Sequence, residues 1–314
     1  MFHVTNGDAT VDLLRAAGVN GEILPWRDVL HEGPVPAGLS PSELRRVRAR
    51  FIAGEGWGDE GDVLRDFERR DAALARYPEH DEVVLWFEHD LYDQLQILQV
   101  FDFFAEREPD ALTMISFDRH VQDPRFHGLG QLRPEDVPAL FDGRRPVTRQ
   151  QTELARSAWR AFRAPEPTAI VRFLERDSSA LPYLAAALRR HLEQLPSAGN
   201  GLGRTERQAI EAVAAGRRRF AEVFMADQER EERPFMGDAT FRHYLERLAS
   251  GERPLLDLAD DTVTLTGDGR RVLAGNEDQV RLNGVDRWLG GVHLSGRTAW
   301  RWDAESGLVP PEIC

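Results

Sequence analysis

Short apolar runs alternate with amphipathic stretches through the first third of the chain. Residues 2–5 (FHVT), 21–26 (GEILPW), 82–88 (EVVLWFE) and 111–117 (ALTMISF) read as strands, the third as a buried one. Helical spacing occupies the intervals at about 9–17, from Ser42-Glu43 onward, 63–77 and 91–105. In the last of these Leu91, Leu95, Leu98, Phe101 and Phe104 recur on one stripe. Pro25 makes the second strand short or edge-like, and Pro34, Pro36 and Pro41 mark a loop after it.

Strands alternating with helices predict an α/β unit with a mainly parallel, Rossmann-like sheet at the N-terminus. Beyond about residue 134 the strand signals give way to helices at 135–142, 148–163, 167–175 and 180–195, with Leu154, Ala158, Trp159 and Phe162 as a packing stripe. The turn-forming PSAGNGLG at 196–203 precedes a third pattern: helices at 204–215, 220–228 and 238–249, a hairpin at 254–265, and a helix through Leu273. Three helices and a hairpin is the order of a winged helix. The expected division is therefore an α/β ligand-binding domain (1–133), a helical segment packed on it (134–200), and a winged-helix-like domain with a C-terminal extension (201–314).

In an open parallel sheet the strand C-termini share one edge, where ligands bind. This chain puts polar groups there. Asn6-Gly7-Asp8 follows the first strand, with His3 inside it; the glycine admits a ligand near the backbone, and Asp8 suits a helix cap or a catalytic carboxylate. Trp26, Arg27 and Asp28 follow the second strand, with His31 and Glu32 close behind as a candidate acid–base pair. Arg27 offers a planar fork for phosphate or carboxylate, or a staple to an aspartate. Glu88, His89 and Asp90 follow the third strand, with Asp93 and Gln94 on the next turn. Capping accounts for Asp90 and Asp93, but not for Glu88 or His89. Glu88 and Asp90, joined by Asp8, are expected to hold a divalent cation through oxygen ligands, with His89 as the proton-transfer group and Arg27 neutralising developing charge. Asp118 follows the fourth strand and falls on the same edge.

The candidate site is thus catalytic His89, Glu88 and Asp8, surrounded by ligand-binding His3, Asn6, Gly7, Trp26, Arg27, Asp28, His31, Glu32, Asp93, Gln94 and Asp118.

Composition narrows the chemistry. All 40 basic residues are arginine, which excludes a Walker A lysine, a pyridoxal Schiff base and a lysine general base. The only cysteine is Cys314, so neither a disulfide framework nor a cysteine zinc site is available. No apolar run approaches a membrane span and no secretory leader is visible, so a cytoplasmic location is expected. The net charge of −13 repels nucleic acid at long range. Between residues 201 and 271 there are 12 arginines against 14 carboxylates, a thin basis for DNA binding by a winged helix. Arg45, Arg46, Arg48 and Arg50 make either a solvated helix face or a contact for a phosphate-bearing ligand.

The stretch HVTNGDATVDLLRAAGVNGEILPWRDVLHEGPVP, together with LWFEHDLYDQLQILQ, resembles a bacterial family known as domain of unknown function 1835. The resemblance covers about residues 1–125, and QTELARSAWRAF, ALPYLAAALRRHLEQLPS and DRWLGGVHL resemble its usual companions. It implies an architecture and no activity. Serine often follows the Gly-Asp of that pattern; Ala9 stands there in this chain, which removes a serine nucleophile. Two classes of function are expected from the residues. One is a metal-assisted hydrolase or transferase acting on a nucleotide or other phosphate-containing small molecule. The other is an effector-binding regulator whose winged helix contacts DNA or a protein, unless that module serves only packing or dimerisation.

Overall fold

The computed structural model describes residues 1–107, 109, 111–116, 128–303, 305 and 307–311. It is a mixed α/β structure with a five-stranded, mostly parallel sheet and 13 helices among the described residues. The α/β portion runs β1 (Phe2–Thr5), α1 (Asp8–Ala16), β2 (Glu22–Pro25), β3 (Gly33–Pro34), α2 (Pro41–Gly54), α3 (Glu60–Ala75), β4 (Val83–Trp86), α4 (Leu91–Phe104) and β5 (Leu112–Ile115). Helix α5 (Val137–Asp142) and the two-residue β6 (Arg145–Pro146) follow. The sheet order is β2-β1-β4-β5-β6, parallel except at β6, with Thr5 level with Pro25 on one side and with Trp86 on the other.

The chain goes from β1 to β2 on one side and places β4 on the other. The strand order therefore reverses between β1 and β4, and their C-terminal ends form the crevice where such sheets bind ligands. Strand β4 is apolar throughout because both its faces are covered. Val83 and Leu85 face the main core, whereas Val84 and Trp86 join Leu13, Leu14, Ile115, Leu129 and Val137 on the opposite face. Helix α4 is buried almost all round, which fits its near-continuous hydrophobicity. It packs on α6 (Arg149–Phe162), whose buried residues Leu154, Ala155, Ala158, Trp159 and Phe162 contain the predicted stripe.

Helices α7 (Thr168–Leu174) and α8 (Leu184–Leu192) continue that layer, and α9 (Arg204–Ala214), α10 (Phe220–Gln228) and α11 (Asp238–Ala249) lead into the hairpin β7 (Leu256–Ala259) and β8 (Thr262–Leu265). Helices α12 (Gly267–Leu273) and α13 (Gln279–Asn283) precede four strands that the hydrophobic pattern did not announce: β9 (Val285–Gly290), β10 (Val292–Gly296), β11 (Arg301–Asp303) and β12 (Gly307–Val309). Gly290 turns the chain between β9 and β10 with φ of 61°, a conformation that favours glycine. Strand β9 also pairs in parallel with β3, so the loop after β2 is stitched to the far end of the chain. The main core accordingly runs without a break from Phe2 to Ala299, across all three segments of the expected division.

One local expectation is corrected and one is met. Gly7, not Asp8, is the cap of α1, and Asp8 is its first residue. The staple from Arg27 to an aspartate is observed, its partners being Asp8 and Asp66, while Asp28 is held by Arg48.

Candidate functional site at the strand crossover

Three buried carboxylates meet where β1 and β4 end. Glu88, Asp90 and Asp93 are 4, 6 and 1% exposed, and each offers an oxygen within 4.8 Å of the others. Backbone and amide donors position them. Asp90 caps α4 by accepting from Asp93 N at 3.0 Å, and Asp93 Oδ1 accepts from Glu88 N at 2.7 Å. Gln94 Nε2 donates to Glu88 O at 2.6 Å, fixing the peptide at which the strand becomes a helix. From the first turn of α1, Thr10 Oγ1 donates to Asn6 Oδ1 at 2.7 Å and so aims the amide nitrogen at the carboxylates. Asn6 Nδ2 then donates to Glu88 Oε1 at 3.1 Å and Asp93 Oδ2 at 3.0 Å. Leu129 N closes the far side with a 2.6 Å bond to Glu88 Oε1.

Among the described residues no arginine or histidine forms an ion pair with any of the three carboxylates. Burial and mutual repulsion therefore decide their protonation. Burial, reinforced by Asp93 and Asp90, pushes Glu88 up to about 10. Burial and then Asp93 raise Asp90 well above the usual carboxylate range, and burial lifts Asp93 to about 7. Arg233 opposes the rise at Asp90, but burial outweighs it, so the cluster favours protons or a cation over three bare charges.

The crevice is tightly fitted. A Cβ at Gly128 would lie 2.3 Å from Glu88 Oε2. We expect Gly128→Ala to displace the Glu88 carboxyl and lower stability by about 1–3 kcal/mol, read as a shift of the denaturation midpoint at unchanged slope. A midpoint equal to that of the parent protein contradicts this packing.

His89 lies between the carboxylates in sequence and lines a cavity of about 300 Å3 with Arg189, Arg190, Arg204, Arg233 and Glu231. Arg233 Nη1 donates to His89 O at 3.3 Å and its guanidinium lies over the ring of Tyr183, 5.1 Å from the centroid. The His89 ring meets Tyr183 edge-on, with centroids 6.0 Å apart. Gln94 and Tyr183 line a second cavity of about 320 Å3 beside the end of β5. The two hollows thus adjoin the cluster through its immediate neighbours.

The chain matches none of the protein-family models and none of the curated proteins with which it was compared.

The remaining candidates divide clearly. Asn6, Glu88, Asp90, Asp93 and Gln94 come together as one hydrogen-bonded unit, with His89 beside it. Gly7 contributes backbone, its carbonyl accepting from Thr5 Oγ1 at 3.2 Å. Asp8 is not part of the unit: its side chain is 62% exposed and bound twice by Arg27, at 2.6 and 2.7 Å. That bond holds the Asp8 carboxyl below its ordinary value and removes both residues from the proposed chemistry. His3 is buried within β1, where it accepts from Trp86 Nε1 at 3.1 Å and contacts Asn20 O at 3.2 Å, so its role is structural. Trp26 donates from Nε1 to Gln99 Oε1 at 3.0 Å, also away from the carboxylates. Asp118, with Arg119, His120 and His127, lies outside the described residues.

Asp28, His31 and Glu32 belong to a different, interior polar layer. Asp28 Oδ1 accepts twice from Arg48, at 2.7 and 3.0 Å. Glu32 accepts from Arg287 Nη2 at 2.7 Å and from the Tyr244 hydroxyl, with Arg247 at 3.8 Å. Burial alone would raise Glu32, but Arg287 and Arg247 outweigh it and hold it at about 2. His31 is packed edge-on against Tyr92 and Phe235, its two ring nitrogens have no hydrogen-bond partner, and burial lowers it to about 4. An acid–base pair of His31 with Glu32 is therefore replaced by a neutral imidazole beside a locked carboxylate.

The His31 pKa is lowered on folding, so its contribution is complete above the unfolded value near 6.5 and is lost as pH falls toward 4. We expect His31→Phe to remove about 1.4 kcal/mol per pH unit from the acid loss of stability over that interval. Denaturation profiles of the two proteins that run parallel from pH 6.5 to 4.5 rule this out.

Arg233, Tyr183, Gly128 and Leu129 complete the surroundings of the site without having been singled out in the sequence. Each comes from a distant segment, and nothing local to them marks the association.

Proposed function

We propose that the chain is a metal-assisted hydrolase or transferase for a phosphate-containing small molecule, with its centre at the β1–β4 crossover. One observation carries this reading: three carboxylates are buried within 4.8 Å of one another, and among the described residues no cationic side chain is ion-paired to them. Burying such charges is costly unless something neutralises them. A divalent cation with oxygen preference does so, and Glu88, Asp90 and Asp93 would be its ligands. Asp93 takes the place assigned to Asp8 on sequence grounds.

The cation would polarise a phosphoryl oxygen and lower the pKa of a bound water. The protein's own groups supply the rest. His89 faces the arginine-lined cavity and would exchange a proton with the attacking water or the leaving oxygen as the P–O bond breaks. Arg233 and Arg189 would hold the non-reacting phosphoryl oxygens. Asn6 fixes two of the three carboxylates through one amide, keeping the donor set in register.

Asp90→Asn tests the reading, because asparagine caps a helix as well as aspartate does while removing the charge. Titration of manganese(II) into the full chain by calorimetry is expected to show one site, weakened at least about 100-fold in the variant. Equal affinity in both proteins sinks the proposal.

For the C-terminal third, packing is the better-supported role within a winged-helix arrangement. The order α9–α10–α11–β7–β8, with an antiparallel bridge from Arg219 to Thr262, fits that arrangement. Its third helix, the DNA-reading element of the motif, turns inward. His243 pairs with Glu55 at 2.6 Å, Tyr244 bonds Glu32, and Arg247 approaches the same carboxylate. This favours a bracing module over a DNA reader. The resemblance to domain of unknown function 1835 is proposed on the same footing, from its polar blocks alone.

A further inference from the structure

A cleft of about 330 Å3 opens between α2, α3, α4 and α6, separate from the carboxylate cluster. Its walls carry Arg45, Arg48, Arg70, Arg107, Arg156 and Arg163 against four carboxylates, Asp28, Asp71, Asp102 and Glu106. In a chain whose net charge is −13, this is a local excess of positive charge. Burial also raises the Asp102 carboxyl, against the opposing influence of Arg163, Arg156 and Arg160.

Most of these arginines are buried or half-buried, with Arg107 exposed at the mouth. Three of them lie on aromatic rings that form the walls. Arg70 sits 3.9 Å from the Trp26 ring centroid and 4.7 Å from that of Phe67. Arg107 lies 4.0 Å from Phe103, and Arg163 lies 5.5 Å from Trp159. Guanidinium planes held on rings present both a flat stacking surface and directed donors.

Hydrogen bonding within the walls is incomplete. Asp71 is shared by Arg45, at 2.7 Å, and Arg70, at 2.8 Å. Arg45 Nε, Arg70 Nη1 and Asp28 Oδ2 are shielded from solvent and have no partner. Buried donors without acceptors are destabilising by themselves, so groups that accept from them or reorient them are favoured in the cleft. Its size is that of a small-ligand pocket.

We propose that this cleft is a second binding site, for a small organic anion: a phosphate or carboxylate carried on a flat aromatic body. The guanidinium-plated rings take the aromatic part, and Arg45, Arg107 and Arg163 draw the anionic part to the mouth. Nothing in this assignment depends on the metal reading of the β1–β4 crossover.

The test titrates the full-length chain with 1-naphthyl phosphate and 2-naphthoate, with inorganic phosphate and 2-naphthol as controls lacking one half of the chemistry. Calorimetry is expected to show saturable binding of one or both aromatic anions, and the relative affinities tell phosphate from carboxylate recognition. Neither control is expected to saturate. Arg45→Met and Arg107→Met are expected to weaken binding by about tenfold each. Arg45→Met leaves Asp71 with Arg70, and Arg107 is at the surface, so both variants should fold; far-ultraviolet dichroism and the melting midpoint check this. Asp90→Asn is expected to leave binding of the aromatic anions unchanged. The proposal is overturned if neither anion binds, if the folded arginine variants bind as the parent does, or if Asp90→Asn abolishes binding, which assigns the ligand to the crossover site instead.

Discussion

Arg287→Met will cost about 3–5 kcal/mol of folding stability, the largest loss expected from any single substitution discussed here. Glu32 is almost completely buried and ionised, and its shortest ion pair is the 2.7 Å bond from Arg287 Nη2. Methionine keeps much of the volume but leaves the carboxylate with Arg247 at 3.8 Å and the Tyr244 hydroxyl. An ionised group left uncompensated in the interior either pays the loss of solvation or takes up a proton. The double variant Arg287→Met/Glu32→Gln is therefore expected to recover a large part of the loss, since it removes the orphaned charge. Urea denaturation at neutral pH measures both. A single-variant loss below about 1 kcal/mol, or a double variant no better than the single, means that the pair contributes little to holding β3 and β9 together.

The second large effect is a pH dependence carried by Glu88, Asp90 and Asp93. Their pKa values are raised on folding, to about 10 for Glu88 and about 7 for Asp93. The folded state therefore binds more protons than the unfolded chain at every pH between the unfolded values near 4 and these raised values. By linkage, their contribution to stability is fully present below about 4 and declines as pH rises through 7 toward 10, by up to about 1.4 kcal/mol per pH unit for each carboxyl until its raised value is passed. On the proposed metal reading a divalent cation would replace the protons, and its stabilising effect would grow with pH. Melting midpoints measured from pH 6 to 9 should fall steeply in chelator and much less in manganese(II). In Glu88→Gln/Asp90→Asn both the slope and the metal effect should shrink. Parallel curves with and without metal would separate the cluster from any cation site, leaving protons alone as its neutralising partner.

Much of this geometry is legible along the chain because its causes are local. The run VVLW is apolar at every position because both faces of β4 are covered, and polar Glu88, His89 and Asp90 then mark the strand's exit. That Asp93 belongs with Glu88 is equally local, since it faces back along the first turn of α4 onto Glu88 N. What local pattern does not contain is which strand ends become neighbours. Asp8 follows β1 just as Glu88 follows β4, yet it begins a helix on the side where α3 brings Asp66 and where Arg27 is waiting. His31 and Glu32 look like solvent-facing loop chemistry because their cover comes from Tyr244, Phe235 and Arg287, more than two hundred residues later. The β9–β10 hairpin escaped notice for a different reason. Asp286, Arg287 and His293 interrupt its apolar positions, although Gly290-Gly291 between two alternating stretches is a hairpin signal.

The pairing of β3 with β9 also bears on how the molecule comes into being. Residues emerge from a ribosome in order, and Gly33-Pro34 must wait for Leu289-Gly290 before their strand has a neighbour. Until then Glu32 has no Arg287, and the apolar side of the 29–36 segment stays open to the solvent. Truncation before residue 285 should therefore leave the 29–36 segment without its strand partner and Glu32 without Arg287.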